Sequence, residues 1–402
     1  MKIAIIGAGP AGIFTSLFLK NLDGEVYLFE QNKNIGEKLQ LTGGGKMNIT
    51  NKVFSVEEFS SDSKNLLKNL FKNPWIKNRE KLFVELGIEY KWEGNRAILA
   101  NESALLEIER FASMLAGQKN LEVFTECKVT DVLRHGDNFT VKFEKENLNK
   151  EIIFDAVIIA NGGMFRIKDM GKAKDLYKIP LMLGHNITNV DPSLCPILVP
   201  NNPFKELSGI AFKGTLFCPD NKAEGSGDVL ITHAGISGPA VLDFSSMLEG
   251  EKIELCFIEN LSEEKFKEEF WKSREGKETV KNFLHKFLPK RIRDFLMTKN
   301  GISPESKIAD TNKEVFKKLQ KDLFHYELSD VKLMDYQFAW TTKGGVPLNE
   351  INVSTLESRL YENLYFAGEV LDVNGLCGGY NISFAAISAK MISEAITKKH
   401  RA

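Results

Sequence analysis

Cysteine, proline and histidine are scarce in this chain of 402 residues, with 5, 12 and 6 of each. Cys127, Cys195, Cys218, Cys256 and Cys377 are scattered, with no Cys-x-x-Cys spacing. A disulfide framework or structural zinc site is therefore not expected, no metal ligand set is read, and a reducing cytoplasm is the expected compartment. A charge excess is lacking too: 53 basic residues meet 54 acidic ones, a formal net charge of -1. No overall field draws the chain to nucleic acid or an acidic membrane. No apolar run reaches the roughly 20 residues needed to span a bilayer. The opening MKIAIIGAGPAGIF has the lysine and apolar core of a secretion signal. Its glycines and the lack of a clean cleavage region favour a buried strand and a turn. What remains, 43% hydrophobic and 27% charged, suits a soluble protein of two or three domains.

The front of the chain carries the clearest chemistry. Residues 2–6 (KIAII) read as a strand buried on both faces of a parallel sheet. GAGPAG follows, then a helical pattern, then EVYLFE as a second strand. Gly7 suits a tight turn, Gly9 a close approach of backbone to pyrophosphate, and Gly12 a close packing of helix on strand. With Pro10 and Ala11 they open a helix whose amides and dipole face phosphate. Glu30 ends the second strand, where an acid binds ribose hydroxyls, which disfavours a 2'-phosphate. An adenine dinucleotide is expected, FAD or NAD.

Further along, 100–117 reads as an amphipathic helix, 121–146 as strands joined by a His-Gly-Asp-Asn turn, and 155–163 (DAVIIANGG) as a second buried strand ending in glycines. Composition changes near Asn189. The expected division is a nucleotide-binding domain from 1–188 and 333–402, with 189–332 inserted. Of the insert, 189–260 is expected to be β-rich and 261–332 helical. Lys and Glu interleave throughout that helical block, so it reads as solvated helix faces rather than a nucleic-acid surface.

Two glycine-dense stretches remain. GEKLQLTGGGKMNITN (36–51) sets Gly43, Gly44 and Gly45 in a row, unsuited to helix or strand interiors and suited to a loop against a large ligand, with Asn48, Thr50 and Asn51 to fix it. In LYFAGEVLDVNGLCGGYN (364–381), Gly368 and Glu369 follow a strand, and Gly378 and Gly379 let the loop pass close to a ring before a helix opens near Tyr380 and Asn381. One strand-helix-strand unit holds only the ADP half of FAD. The C-terminal loop then supplies the other half of one site.

Taken together, GAGPAG (7–12), IGEKLQLTGGGKMNITN (35–51), THAGISGPAVL (232–242), GGV (344–346) and the 364–381 stretch resemble the HI0933-like (BaiN-type) bacterial flavoproteins over essentially the whole chain. The resemblance implies an α/β fold: a Rossmann-like FAD-binding domain of the two-dinucleotide-binding-fold type, with an inserted β-barrel-like domain and a helical subdomain. It also implies cofactor contacts at Gln31, Lys38, Val129, Ala160, Gly162, Gly163 and Asp372. The chain departs from the family pattern in four places: Glu37 precedes Lys38 in place of arginine, Lys46 and Met47 stand for Arg-Cys, Asn161 for threonine, and Ala234 for arginine.

Flavin carries the hard chemistry itself, so few protein groups need to react. His233 is the candidate acid, and Cys377 reads as a small filler in the flavin loop. No second strand-GxGxxG-helix unit is present, so NADH or NADPH would dock transiently as donor. The leading expectation is an FAD-dependent oxidoreductase with non-covalent flavin, acting on a small organic substrate such as an unsaturated ring; nucleic acid and membrane are not expected partners. A flavin-dependent RNA-modifying enzyme, a non-enzymatic flavin sensor and a flavin-free NAD dehydrogenase are the rivals.

Overall fold

Five apolar runs become the parallel core of one sheet: β1 (Lys2–Ile6), β2 (Glu25–Phe29), β3 (Leu121–Phe124), β4 (Ala156–Ile159) and β5 (Leu364–Phe366). The computed structural model describes residues 1–164 and 175–401. It divides into two units, Met1–Asp191 with Thr341–Ala402, and Pro192–Trp340.

In the first unit the strands run in the order β5-β4-β1-β2-β3, extended beyond β5 by two short antiparallel strands, Glu357–Ser358 and Ile351–Asn352. β1 and β4 bury almost every side chain because the sheet is covered by helix Pro10–Phe18 and by a three-stranded antiparallel sheet, Cys127–His135, Asn138–Lys145 and Leu148–Phe154, which explains their apolar sequences. Chain order reverses between β1 and β4, and open α/β sheets bind ligands beyond the carboxyl ends of strands at such a point. Register brings that rim together: Ile6 lies beside Phe29 and Ile159, and Ile159 beside Phe366. The residues that follow each strand, Gly7, Glu30, Ala160 and Ala367, therefore share one edge although hundreds of positions separate them.

Helix α1 (Pro10–Phe18) starts with proline in its first turn, where the missing N–H costs nothing, and Thr15 and Ser16 return their hydroxyls to the Ala11 and Gly12 carbonyls. Helix α2 (Tyr380–Arg401) packs on α1 and ends in Lys398, Lys399, His400 and Arg401, which complement its dipole. The 36–51 stretch is not loop throughout: Glu37–Gln40 forms one helical turn and Asn48–Asn51 a strand paired to Arg96–Leu99. Among the described residues no helix is long and apolar enough to cross a membrane.

The second unit holds an antiparallel sheet with strands in the order Tyr326–Ser329, Lys252–Cys256, Ala211–Phe217, Glu224–Ile231, Gly235–Ser237, Ile197–Leu198 and Lys332–Leu333. The two edge strands are consecutive in the chain. Three Cα steps separate Ser329 from Lys332, at most about 11 Å, so the sheet must curl until its edges approach. Helices Glu263–Lys272, Val280–His285, Lys290–Lys299 and Lys313–Phe324 are not a separate helical subdomain. Phe266, Phe283, Leu296 and Phe316 share one hydrophobic core with Phe204, Val229, Leu255 and Tyr326 of the sheet region. The chain re-enters the first unit at Thr341 rather than near 333, because Lys332–Leu333 pairs with Ile197–Leu198 and Trp340 N–H donates to the Leu194 carbonyl.

Candidate functional site

The three front glycines differ in what surrounds them, and each surrounding suits a different task. Gly7 has φ +103°, and a Cβ there would lie 2.6 Å from the Ala160 carbonyl oxygen. A Cβ on Gly12 would lie 1.9 Å from the Gly7 carbonyl oxygen, so only glycine lets α1 pack this closely on the β1 turn. Gly9 caps α1 with an ordinary φ of -74°, and a Cβ there would meet nothing within 4 Å. The space in front of Gly9 is open and lies at the positive end of α1, a shape and a field that suit an anion such as phosphate.

Glu30 is buried at the rim, its two carboxylate oxygens accepting the Ala8 N–H at 2.8 Å and the Asn32 N–H at 2.9 Å. Burial pushes its pKa up, while those N–H donors work the other way. Each oxygen keeps a lone pair for a ribose hydroxyl. Gln31 is exposed beside it. Val129 lies on the Cys127–His135 strand, whose first residue donates its N–H to the Glu30 carbonyl.

Gly43, Gly44 and Gly45 all take positive φ, +58°, +65° and +90°. Gly43 is tight against Asn48, whereas Gly44 and Gly45 face open space, as does Gly162 at φ +77°. A Cβ on Gly163 would lie 2.5 Å from Glu369 Oε1, the oxygen that accepts the Thr342 N–H at 3.0 Å. Glu369 also pairs with Lys38, so these two predicted cofactor residues meet each other. Asn161 donates from Nδ2 to the Leu176 carbonyl, and its Oδ1 is buried with no partner among the described residues.

The C-terminal loop docks on the Asn48–Asn51 strand. A Cβ on Gly379 (φ +97°) would lie 2.4 Å from Thr50 N, and Ser383 Oγ donates to the Ile49 carbonyl at 2.8 Å. Gly379 thus serves strand packing. Gly378 (φ +120°) faces Asn51 Nδ2 and the Arg96 side chain. Asn381 latches the loop by pairing its amide with both the N–H and the carbonyl of Gly375, each at 2.8 Å. Tyr380 stacks on Phe54. Asp372 is buried and turned to Ser61 and Asp62, accepting the hydroxyl at 2.9 Å and the N–H at 2.8 Å; burial raises its pKa. Gly368, at φ +71°, lies against Ala11 and donates its N–H to Ser388 Oγ. Gly344 and Gly345 pack on the backbones of Asn189 and of Val370 and Leu371. Asp372, Tyr380, Asn381 and Gly379 therefore shape the loop, and their packing was not legible in their residue types.

His233 belongs to the second unit, exposed in a turn closed by Thr232 and Gly235, with its carbonyl accepting from Asn202 Nδ2. Cys377 is half-buried in the C-terminal loop. Sequence reasoning missed Arg79, Arg96 and His185. The two arginines read as ordinary polar positions of a helix and a strand end. His185 is buried between Glu350 Oε2 at 2.8 Å from Nδ1 and Ser358 Oγ at 2.9 Å from Nε2.

Glycines facing open space at the rim of a parallel sheet, in front of a helix N-terminus and beside a buried acid, define a Rossmann-like dinucleotide-binding fold. The chain belongs to the HI0933-like family, whose Rossmann-domain model matches residues 1–395. A ribosomal RNA dihydrouridine synthase of Haemophilus influenzae is 29% identical over 98% of both chains. A 3-dehydro-bile acid delta(4,6)-reductase of Clostridium scindens is 26% identical over 99% of both. Among solved structures, a 3-ketosteroid-delta4-(5alpha)-dehydrogenase from Rhodococcus jostii RHA1 matches with TM-score 0.51 and 11% identity, covering 98% of this chain and 96% of that one. The E. coli quinol fumarate reductase FrdA matches with TM-score 0.50 and 13% identity, covering 100% of this chain and 71% of that one. This family and fold are those of FAD-dependent oxidoreductases.

Proposed function

We propose that this protein is a reductase with non-covalent FAD that saturates a carbon–carbon double bond conjugated to a ring carbonyl, with NADH or NADPH as transient donor. The observation that supports the reading is that glycines from three separate segments, Gly9, Gly44 with Gly45, and Gly162, face open space in the unit that carries the sheet rim. The space at Gly9 and the α1 terminus would hold the pyrophosphate, and Glu30 the ribose. Gly44, Gly45, Gly162 and Gly378 would border the ring. When bound, flavin would supply a hydride, replenished from the nicotinamide, to the carbon remote from the carbonyl, with a proton from solvent reaching the adjacent one.

The relatives' names support this chemistry, because a bile-acid dienone and a uracil ring each hold a double bond in conjugation with a ring carbonyl. The first reading of the substrate is a small cyclic enone. A second reading, uracil within RNA, is favoured by the matches to ribosomal RNA dihydrouridine synthases, including one of Escherichia coli at 28% identity over 96% of this chain.

The test begins with the absorption spectrum of the purified protein and chromatography of heat-released flavin. FAD is expected, and FMN or no flavin on a folded protein that takes up none refutes the reading. The reduced protein is then offered a 3-oxo-4-ene steroid and, separately, unmodified ribosomal RNA, with the saturated product measured by mass spectrometry. Saturation of the steroid supports the first substrate and dihydrouridine the second; neither product refutes both.

A further inference from the structure

Two guanidinium groups flank the Asn48–Asn51 strand, and neither has a carboxylate partner among the described residues. Arg79 is 8% exposed. Its Nε donates to Thr50 Oγ1 at 2.9 Å, its Nη2 to the Asn51 carbonyl at 2.7 Å, and its Nη1 to the Ile76 carbonyl at 3.3 Å. The guanidinium carbon stands 4.5 Å from the centre of the Phe54 ring, and Phe54 stacks on Tyr380 with ring centres 5.7 Å apart. Every one of these partners is neutral. Burial lowers the Arg79 pKa from its ordinary value, yet a guanidinium starts so high that it stays charged. Charges this deeply buried are ordinarily paired, because desolvation is otherwise uncompensated.

Arg96 stands on the same strand pair, half-buried, with its Nε 3.5 Å from where a Cβ on Gly378 would be; Asn51 Nδ2 lies 3.2 Å from that same point. The nearby carboxylates are engaged elsewhere: Glu102 by Lys46 and Lys91, and Glu93 by Lys46. The Arg96 side chain makes no hydrogen bond or ion pair among the described residues, its backbone being paired in the sheet with Asn51 and Glu93. Two uncompensated positive charges thus lie directly beneath the loop that carries Gly378 and Gly379.

We propose that Arg79 and Arg96 form a cationic saddle that stabilises the negative charge collecting on the flavin ring when it is reduced. The proposal rests on the FAD reading above. The pyrophosphate is served at the other end, by Gly9 and α1, so these two arginines are not needed for it. Arg79 spends its donors on carbonyls and the Thr50 hydroxyl and acts through space, which suits a charge that appears and disappears with turnover. Both are positioning residues by this account: they set the energy of the reduced cofactor and leave its place unchanged.

The test uses FAD-loaded protein and two readouts other than activity. One is the midpoint potential of the bound flavin. The other is the dissociation constant for sulfite, an anion that adds to oxidised flavin and leaves the ring negatively charged. Arg96→Gln should weaken sulfite binding about tenfold and lower the potential by about 30 mV, the same free energy for a two-electron couple. Arg96→Lys should restore most of both. Arg79→Gln should act in the same direction and Arg79→Lys should not; circular dichroism checks their folding, and the Arg96 pair decides if they do not fold. A structural role would loosen FAD without moving the potential of what remains bound. Neutral variants whose bound FAD keeps wild-type potential and sulfite affinity overturn the proposal. A folded wild-type protein that takes up no FAD overturns the cofactor reading itself, and this proposal with it, and is recognised before any variant is made.

Discussion

Placing an aspartate at Gly9 and an alanine at Gly12 should have opposite effects on stability, and the aspartate should expel FAD without unfolding the protein. At Gly9 the backbone is ordinary (φ -74°) and the side-chain direction is empty. Aspartate is a better helix cap than glycine, by a few tenths of a kcal/mol, so the flavin-free protein should be as stable as wild type or slightly more so. The added carboxylate would stand where pyrophosphate must approach. At about 4 Å and an effective dielectric near 20, one such repulsion costs roughly 4 kcal/mol, close to a thousandfold in affinity. At Gly12 the logic reverses. Helix propensity alone favours alanine by about 1 kcal/mol, but its Cβ would stand 1.9 Å from the Gly7 oxygen. Overpacking of this kind costs about 1–3 kcal/mol, occasionally more, and here it should win because the neighbour is backbone and cannot rotate away. Urea unfolding of flavin-free protein, with FAD titration by flavin fluorescence, measures both. The reasoning is refuted if Gly9→Asp purifies with a full complement of FAD, or if Gly12→Ala unfolds at higher urea than wild type.

Gly379→Val should destabilise the first unit by several kcal/mol: about 1–3 for strain at positive φ and about 1–3 for the clash with Thr50 N. Loss of the bound-flavin spectrum should accompany it, and an unaltered urea midpoint would count against the docking described here. Cys377→Ala should leave flavin content within about 10–20% of wild type, read from the visible absorption per chain, since the cavity left by one sulfur costs only about 1 kcal/mol. His185 supplies a pH test. Leu360 and Tyr361 N–H groups occupy both lone pairs of Ser358 Oγ, so its hydroxyl donates to His185 Nε2, and Nδ1–H donates to Glu350. Burial lowers the His185 pKa, against the pull of Glu350. The unfolded chain, with a histidine pKa near 6.5, takes up a proton first, so this stabilisation is full above about pH 6.5 and is lost as pH falls below it. The urea midpoint should therefore drop between about pH 7.5 and pH 5.5, and less so in His185→Gln; equal slopes would refute the assignment.

Local pattern alone carried the nucleotide half of this protein. KIAII, three glycines at fixed spacing and an acid closing the second strand are covalently near one another, so turn, helix and rim follow from backbone freedom, propensity and burial within thirty residues. The same reasoning placed the helical block and the return to sheet at LYFA, because periodicity is a local property. It could not say that Glu263–Lys272 and its neighbours share a core with the curled sheet, since an apolar helix face does not announce its partner. Nor could it separate glycines that face open space from glycines pressed on backbone: Gly9 and Gly379 are the same residue, and a left-handed φ and the Thr50 amide beside Gly379 make the difference. Lys38 and Glu369, more than three hundred positions apart, pair only because register sets β1, β4 and β5 side by side. Arg79 and Arg96 acquire their meaning in the same way. A charge becomes unusual only when folding takes away its water and brings no opposite charge in return, and that is decided by tertiary structure.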